Sequence, residues 1–149
     1  MTTARTPRTA GGPVPVTTRG GIVTRAEAWL DPPVPFSRTR FHQDSHGIYR
    51  TDDSGYASMA WGLPGMPPDR NGGLDGIGLA ALGVPTEVAD LLAGDLLVHG
   101  ERVAVFHEWD GENRAGCWVF ELAPDAGTVH RATALTRDHT ARRHPRLTR

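Results

Sequence analysis

From residue 94 onward the sequence falls into short apolar runs divided by turn-forming residues, and this texture confines the second half of the chain to hairpin-linked strands. The runs are Leu96-Leu97-Val98, Val103-Ala104-Val105-Phe106, Cys117 to Leu122 and Thr128 to Ala132. Gly100-Glu101 separates the first two, and Trp109-Asp110-Gly111-Glu112-Asn113 the next two. Upstream the apolar spacing is helical. Ile22, Val23, Ala26, Trp29 and Leu30 predict a helix over residues 21–30, stopped by Asp31-Pro32-Pro33. The polar cluster Thr51 to Gly55 precedes Tyr56, Ala57, Met59, Ala60 and Trp61, and predicts a second helix ending at Gly62-Leu63-Pro64-Gly65. Helices followed by an antiparallel meander give an α+β fold.

The rest of the chain is less regular. Residues 34–47 read as loop, residues 65–78 as a mobile loop rich in glycine and proline, and Leu79 to Leu92 as a weakly helical stretch broken by Gly83 and Pro85. Apolar residues make up 38% of the 149, below the roughly 45–50% usual for globular domains, which suits one loop-rich domain with short elements. Residues 1–20 read as a disordered lead-in, 21–135 as the domain and 136–149 as a solvated basic tail.

A net charge of −1 argues against a molecule-wide nucleic-acid or anionic-membrane surface. All 16 basic residues are arginine, which we read as compositional bias rather than a binding signal. Residues 1–20 lack the apolar core of a secretory signal, and no stretch reaches the roughly 18 apolar residues that span a bilayer, so the expected location is cytoplasmic. Cys117 is the single cysteine, which excludes an intramolecular disulfide.

Four segments, in order, carry a family resemblance. Arg25 to Trp29 with Val34-Pro35-Phe36-Ser37, then Asp52-Asp53-Ser54-Gly55-Tyr56 opening a helix, then Gly94-Asp95-Leu96-Leu97, then Arg102-Val103-Ala104-Val105-Phe106, resemble the NlpC/P60 family over residues 21–135. The resemblance implies a papain-like fold with N-terminal helices packed on an antiparallel sheet. In the family the second segment reads Asp-Cys-Ser-Gly, and the last opens with the catalytic histidine. Here Asp53 holds the cysteine position, Arg102 the histidine position and Phe36 that of a tyrosine near the nucleophile. The family's route needs a thiolate at a helix N-terminus and a histidine to take its proton. With both gone, thiol hydrolysis is not expected, and Cys117, on a predicted strand, does not replace them.

The resemblance sets Asp53 and Arg102 facing each other across a cleft, with Glu121 as the third polar residue. A carboxylate–guanidinium contact there leaves proton transfer to Asp53 or Glu121 and anion stabilisation to Arg102, because arginine stays protonated. The helix N-terminus and Arg102 are expected to keep Asp53 ionised despite burial. Two functions fit: a non-hydrolytic enzyme performing cyclisation, isomerisation or elimination on a small molecule, or a catalytically dead binding module for a peptide, wall fragment or protein. Asp53 also reads simply as the N-cap of its helix, with Arg102 as a salt-bridge partner. His42 and His46 lack a third metal ligand, so neither a metal nor a cofactor is expected. His99 and His107 are placed on the surface. Trp29, Trp61, Trp109 and Trp118 are read as core or cleft wall.

Overall fold

The structure, a computed structural model, describes residues 14–148. It is α+β: three helices and an antiparallel six-stranded sheet, with a separate two-stranded hairpin. Helix α1 (Arg19–Glu27) starts where the Thr18 hydroxyl accepts the Gly21 N–H, and ends before the expected Asp31-Pro32 stop. Helix α2 (Asp53–Ala60) is capped by Asp52, whose carboxylate accepts the Gly55 N–H at 2.7 Å. The cap is therefore Asp52, which leaves Asp53 in the first turn with its side chain available elsewhere. Gly62, at φ +73°, takes the left-handed conformation that closes the helix.

The stretch expected to be loop before α2 holds strand β1 (Phe41–Asp44), which pairs as a hairpin with β2 (Gly47–Arg50), a strand that begins at the last residue of that stretch. The glycine-rich segment expected to be mobile is tied down. The buried Asp69 carboxylate accepts the N–H groups of Asn71 and Gly73, and helix α3 (Gly76–Leu82) begins inside the segment under the cap of Asp75. Strand β3 (Val84–Thr86) and a 3-10 turn at Val88–Asp90 follow.

Strands β4 (Leu96–His99), β5 (Arg102–Asp110), β6 (Gly116–Ala123) and β7 (Gly127–Ala134) form the expected meander. Strand β8 (Thr140–Arg143) was not expected. It enters the sheet between β3 and β4, giving the order β3-β8-β4-β5-β6-β7, so the segment read as a basic tail is an interior strand. Its arginines have internal partners. Arg143 and Arg19 both pair with the fully buried Asp95 at 2.9 Å, Arg142 donates to the Ala80 carbonyl, and His144 lies buried against the Trp61 ring. The lead-in expectation falls outside the described residues for 1–13; beyond them, Thr17 bridges Leu147 and α1 begins at Arg19.

Alternation along the strands sorts the sheet into two faces. Leu96, Val98, Val103, Val105, Phe120 and Leu122 pack with Ile22, Trp29, Tyr56 and Trp61 of the helical layer. Leu97, Phe106, Cys117, Val119 and Ala141 form a smaller cluster with Leu91 on the other face. Trp29 and Trp61 are core, as expected, while Trp109 and Trp118 are half-buried.

Candidate functional site

The first turn of α2 meets the start of β5, so Asp53 does lie beside the Arg102-Val103 segment. Its carboxylate accepts the backbone N–H of Val103 at 3.0 Å. Among the described residues no ion pair joins it to Arg102. Asp53 is half-buried, and burial raises its pKa above the usual carboxylate value; the Val103 hydrogen bond opposes this and the neighbouring Asp52 charge adds to it. Desolvation outweighs the favourable contacts, whereas Arg102 and the helix N-terminus were expected to prevail over burial.

Arg102 and Glu121 lie elsewhere. In β5, Arg102 has the parity of Ala104 and Phe106; in β6, Glu121 has that of Val119 and Cys117. Both line an open groove of about 500 Å³ on the sheet face away from the helices, together with Leu97, Ala104, Val119 and Arg131, and Asp53 is not part of that lining. Nor does Glu121 orient Arg102. Its carboxylate is held at 2.7 Å by Nε of Arg131, reaching diagonally from β7. The expected carboxylate–guanidinium–carboxylate constellation is thus divided by the sheet, because residue parity sends Val103 and its neighbours to opposite faces.

The groove includes residues that sequence reasoning passed over. Arg131 also grips Asp125, on the β6–β7 turn, through both terminal nitrogens at 3.1 and 3.3 Å. At the opposite wall His139 packs on His99, ring centroids 4.9 Å apart, and accepts the Thr136 N–H through Nδ1. The one sequence signal for the Glu121–Arg131 contact was two opposite charges at matching parity on adjacent hairpin strands.

The remaining candidates resolve simply. Phe36 lines a second concavity of about 410 Å³ with Ser37, Arg40, Phe41 and Thr51, close to the start of α2. His42 packs edge-on to Trp29 and lies 3.6 Å from Asp44, while His46 occupies the β1–β2 turn. No group of three or more metal-ligating side chains occurs among the described residues. His99 is exposed, as expected. His107 is half-buried, at the irregularity where β5 shifts register against β6, and its Nδ1 lies 2.9 Å from Nε2 of His130. Cys117 is buried and free, and burial pushes its thiol up to about 11.

Compared with protein-family models, curated proteins and solved structures, the chain matches none. No described helix is long and apolar enough to cross a membrane.

Proposed function

We propose that the chain is a degenerate NlpC/P60-like protein that acts as a binding module, holding a small molecule in the groove on the outer face of its sheet. The family reading is supported by the meeting of the Asp52-Asp53-Ser54-Gly55 turn with β5 at Val103, the strand whose Arg102 stands where a histidine would. One observation carries the binding reading: Asp53 engages the β5 backbone, while Arg102 and Glu121 line a groove that excludes it. A general base and an anion-stabilising group on two sides of a sheet do not act on one substrate atom, since such groups need hydrogen-bond reach.

The test is a thermal-shift survey of small-molecule ligands, because a compound that binds only the folded state raises its apparent stability. Stabilisation that persists in Asp53→Asn and disappears when Ala104→Phe fills the groove supports the proposal. A ligand whose effect vanishes in Asp53→Asn and survives Ala104→Phe overturns it.

A second reading, acid/base chemistry on a small molecule, is favoured by the raised pKa of a half-buried Asp53 in a helix first turn, a pattern common in proton-transfer groups. It requires that Asp53→Asn abolish turnover of the host compound that accumulates when the gene is deleted. Full complementation by that variant removes it.

A further inference from the structure

Arg131, which lines the groove, already holds an anion from outside that lining. The Arg131 guanidinium is oriented by Glu121, which takes Nε at 2.7 Å and is 16% exposed at its side chain. That contact leaves the two terminal nitrogens side by side, the fork that accepts a carboxylate in bidentate fashion. The group filling the fork is Asp125, from the β6–β7 turn, with 69% of its side chain exposed. Both guanidiniums, of Arg131 and Arg102, lower the pKa of Asp125, so its carboxylate lies within the field of two cations. Arg102 itself has no ion-pair partner among the described residues. The neighbouring floor is apolar: Leu97, Ala104 and Val119.

Glu121 and Asp125 therefore differ in what they do. The half-buried carboxylate sets the geometry of the guanidinium. The exposed one occupies the place where an incoming oxyanion gains most, and an exposed ion pair on a turn is weak enough to exchange. We propose that the groove binds a small molecule bearing a carboxylate or phosphate group on an apolar body, and that Asp125 is a built-in competitor which the ligand's oxyanion displaces from Arg131. The oxyanion takes the fork of Arg131 with Arg102 beside it, and the apolar body lies on Leu97, Ala104 and Val119. This rests on the binding-module reading and adds to it the class of ligand and the side chain it must remove.

The test is calorimetric titration of hexanoate, hexyl phosphate and hexanamide into the wild type, Asp125→Asn, Arg102→Gln and Ala104→Phe, with circular dichroism confirming each fold. Asp125 is on an exposed turn, so its replacement leaves the core untouched. The expected result is binding of at least one of the two anions, tightened about two- to fivefold by Asp125→Asn, the scale of releasing one exposed pair. Arg102→Gln weakens it, and Ala104→Phe removes it. A preference between hexanoate and hexyl phosphate identifies the oxyanion. Hexanamide binding as tightly as hexanoate and hexyl phosphate, or Asp125→Asn leaving their affinity unchanged, overturns the displacement proposal while the groove remains a binding site. Absence of all three probes from every variant overturns the proposal and the binding reading together.

Discussion

Val103 donates its backbone N–H to the Asp53 carboxylate at 3.0 Å, so the first turn of α2 is fastened to β5 by a side chain acting as a structural acceptor. The position where the resemblance sets a nucleophile is here a tether between the helical layer and the sheet.

That tether separates two substitutions. Asp53→Ala leaves the Val103 N–H without its partner and is expected to cost about 1–3 kcal/mol. Asp53→Asn keeps an acceptor oxygen and removes a charge that burial disfavours, so its stability at pH 7 should equal or exceed the wild type's. The pKa of Asp53 is raised in the fold, so the folded chain holds this proton more tightly than the unfolded one. Its contribution to stability therefore improves as pH falls from above the raised value toward 3.8, and this component is absent in Asp53→Asn. Urea titrations of the three proteins at several pH values measure both effects. A strongly destabilised Asp53→Asn contradicts the assignment.

His144 has the opposite slope. It is buried, its Nε2 lies 3.0 Å from the Trp61 carbonyl and its Nδ1 accepts the Arg146 N–H, a pairing that needs the neutral ring. Burial drives its pKa from 6.5 to about 4. Between those values the unfolded chain binds a proton that the folded chain refuses, so stability falls as pH drops through this window, by about 3 kcal/mol if the full shift is felt. The urea midpoint at pH 4.5 should lie well below that at pH 7. In His144→Gln the pH 7 value should fall and this part of the slope should flatten.

Asp95 ties α1 to β8. Fully buried, it accepts the Leu92 N–H and two arginines, Arg19 from α1 and Arg143 from β8. Asp95→Ala removes the shared acceptor of all three and should cost about 3–5 kcal/mol. Arg19→Met removes one partly exposed guanidinium and leaves the Arg143 contact, for roughly 1 kcal/mol. Chemical denaturation of both variants gives the ratio, and equal losses would mean that neither Arg143 nor the Leu92 N–H contributes.

Gly55 permits a close approach. A Cβ there would lie 2.3 Å from the Arg50 carbonyl oxygen, against backbone that has no free rotamer to yield. Gly55→Ala is expected to destabilise by about 3 kcal/mol. By contrast Gly100→Ala, with nothing within 4 Å of the added carbon, should suffer only from its positive φ of +64°. Thermal unfolding of the two variants checks the order.

The sheet was legible where alternation and turn residues coincided, as at Val103-Ala104-Val105-Phe106 and Cys117 to Leu122, and α2 where Asp52 capped an apolar run. Strands β1 and β2 escaped because Phe41-His42-Gln43-Asp44 carries one large apolar side chain, itself exposed, and draws on neighbours across the hairpin rather than on its own pattern. Strand β8 escaped for a related reason. Thr140-Ala141-Arg142-Arg143 is polar in sequence, and its arginines find acceptors 48 to 62 residues away, at Asp95 and at the Asp90 and Ala80 carbonyls. The expected site failed on parity: motif order brought Asp53 to the correct strand, but the face of that strand decides which side chains share a cavity, and neighbours such as Arg102 and Val103 point apart.

The place of β8 also bears on when the molecule can form. During synthesis β4 to β7 can pair as each hairpin emerges, but the slot between β3 and β4 stays open until residue 143 has left the ribosome. Until then Asp95 lacks Arg143, and β3 has no sheet to join. Assembly of this domain therefore waits on β8, and until it arrives the unfilled strand slot is one that a strand from a second nascent chain can enter.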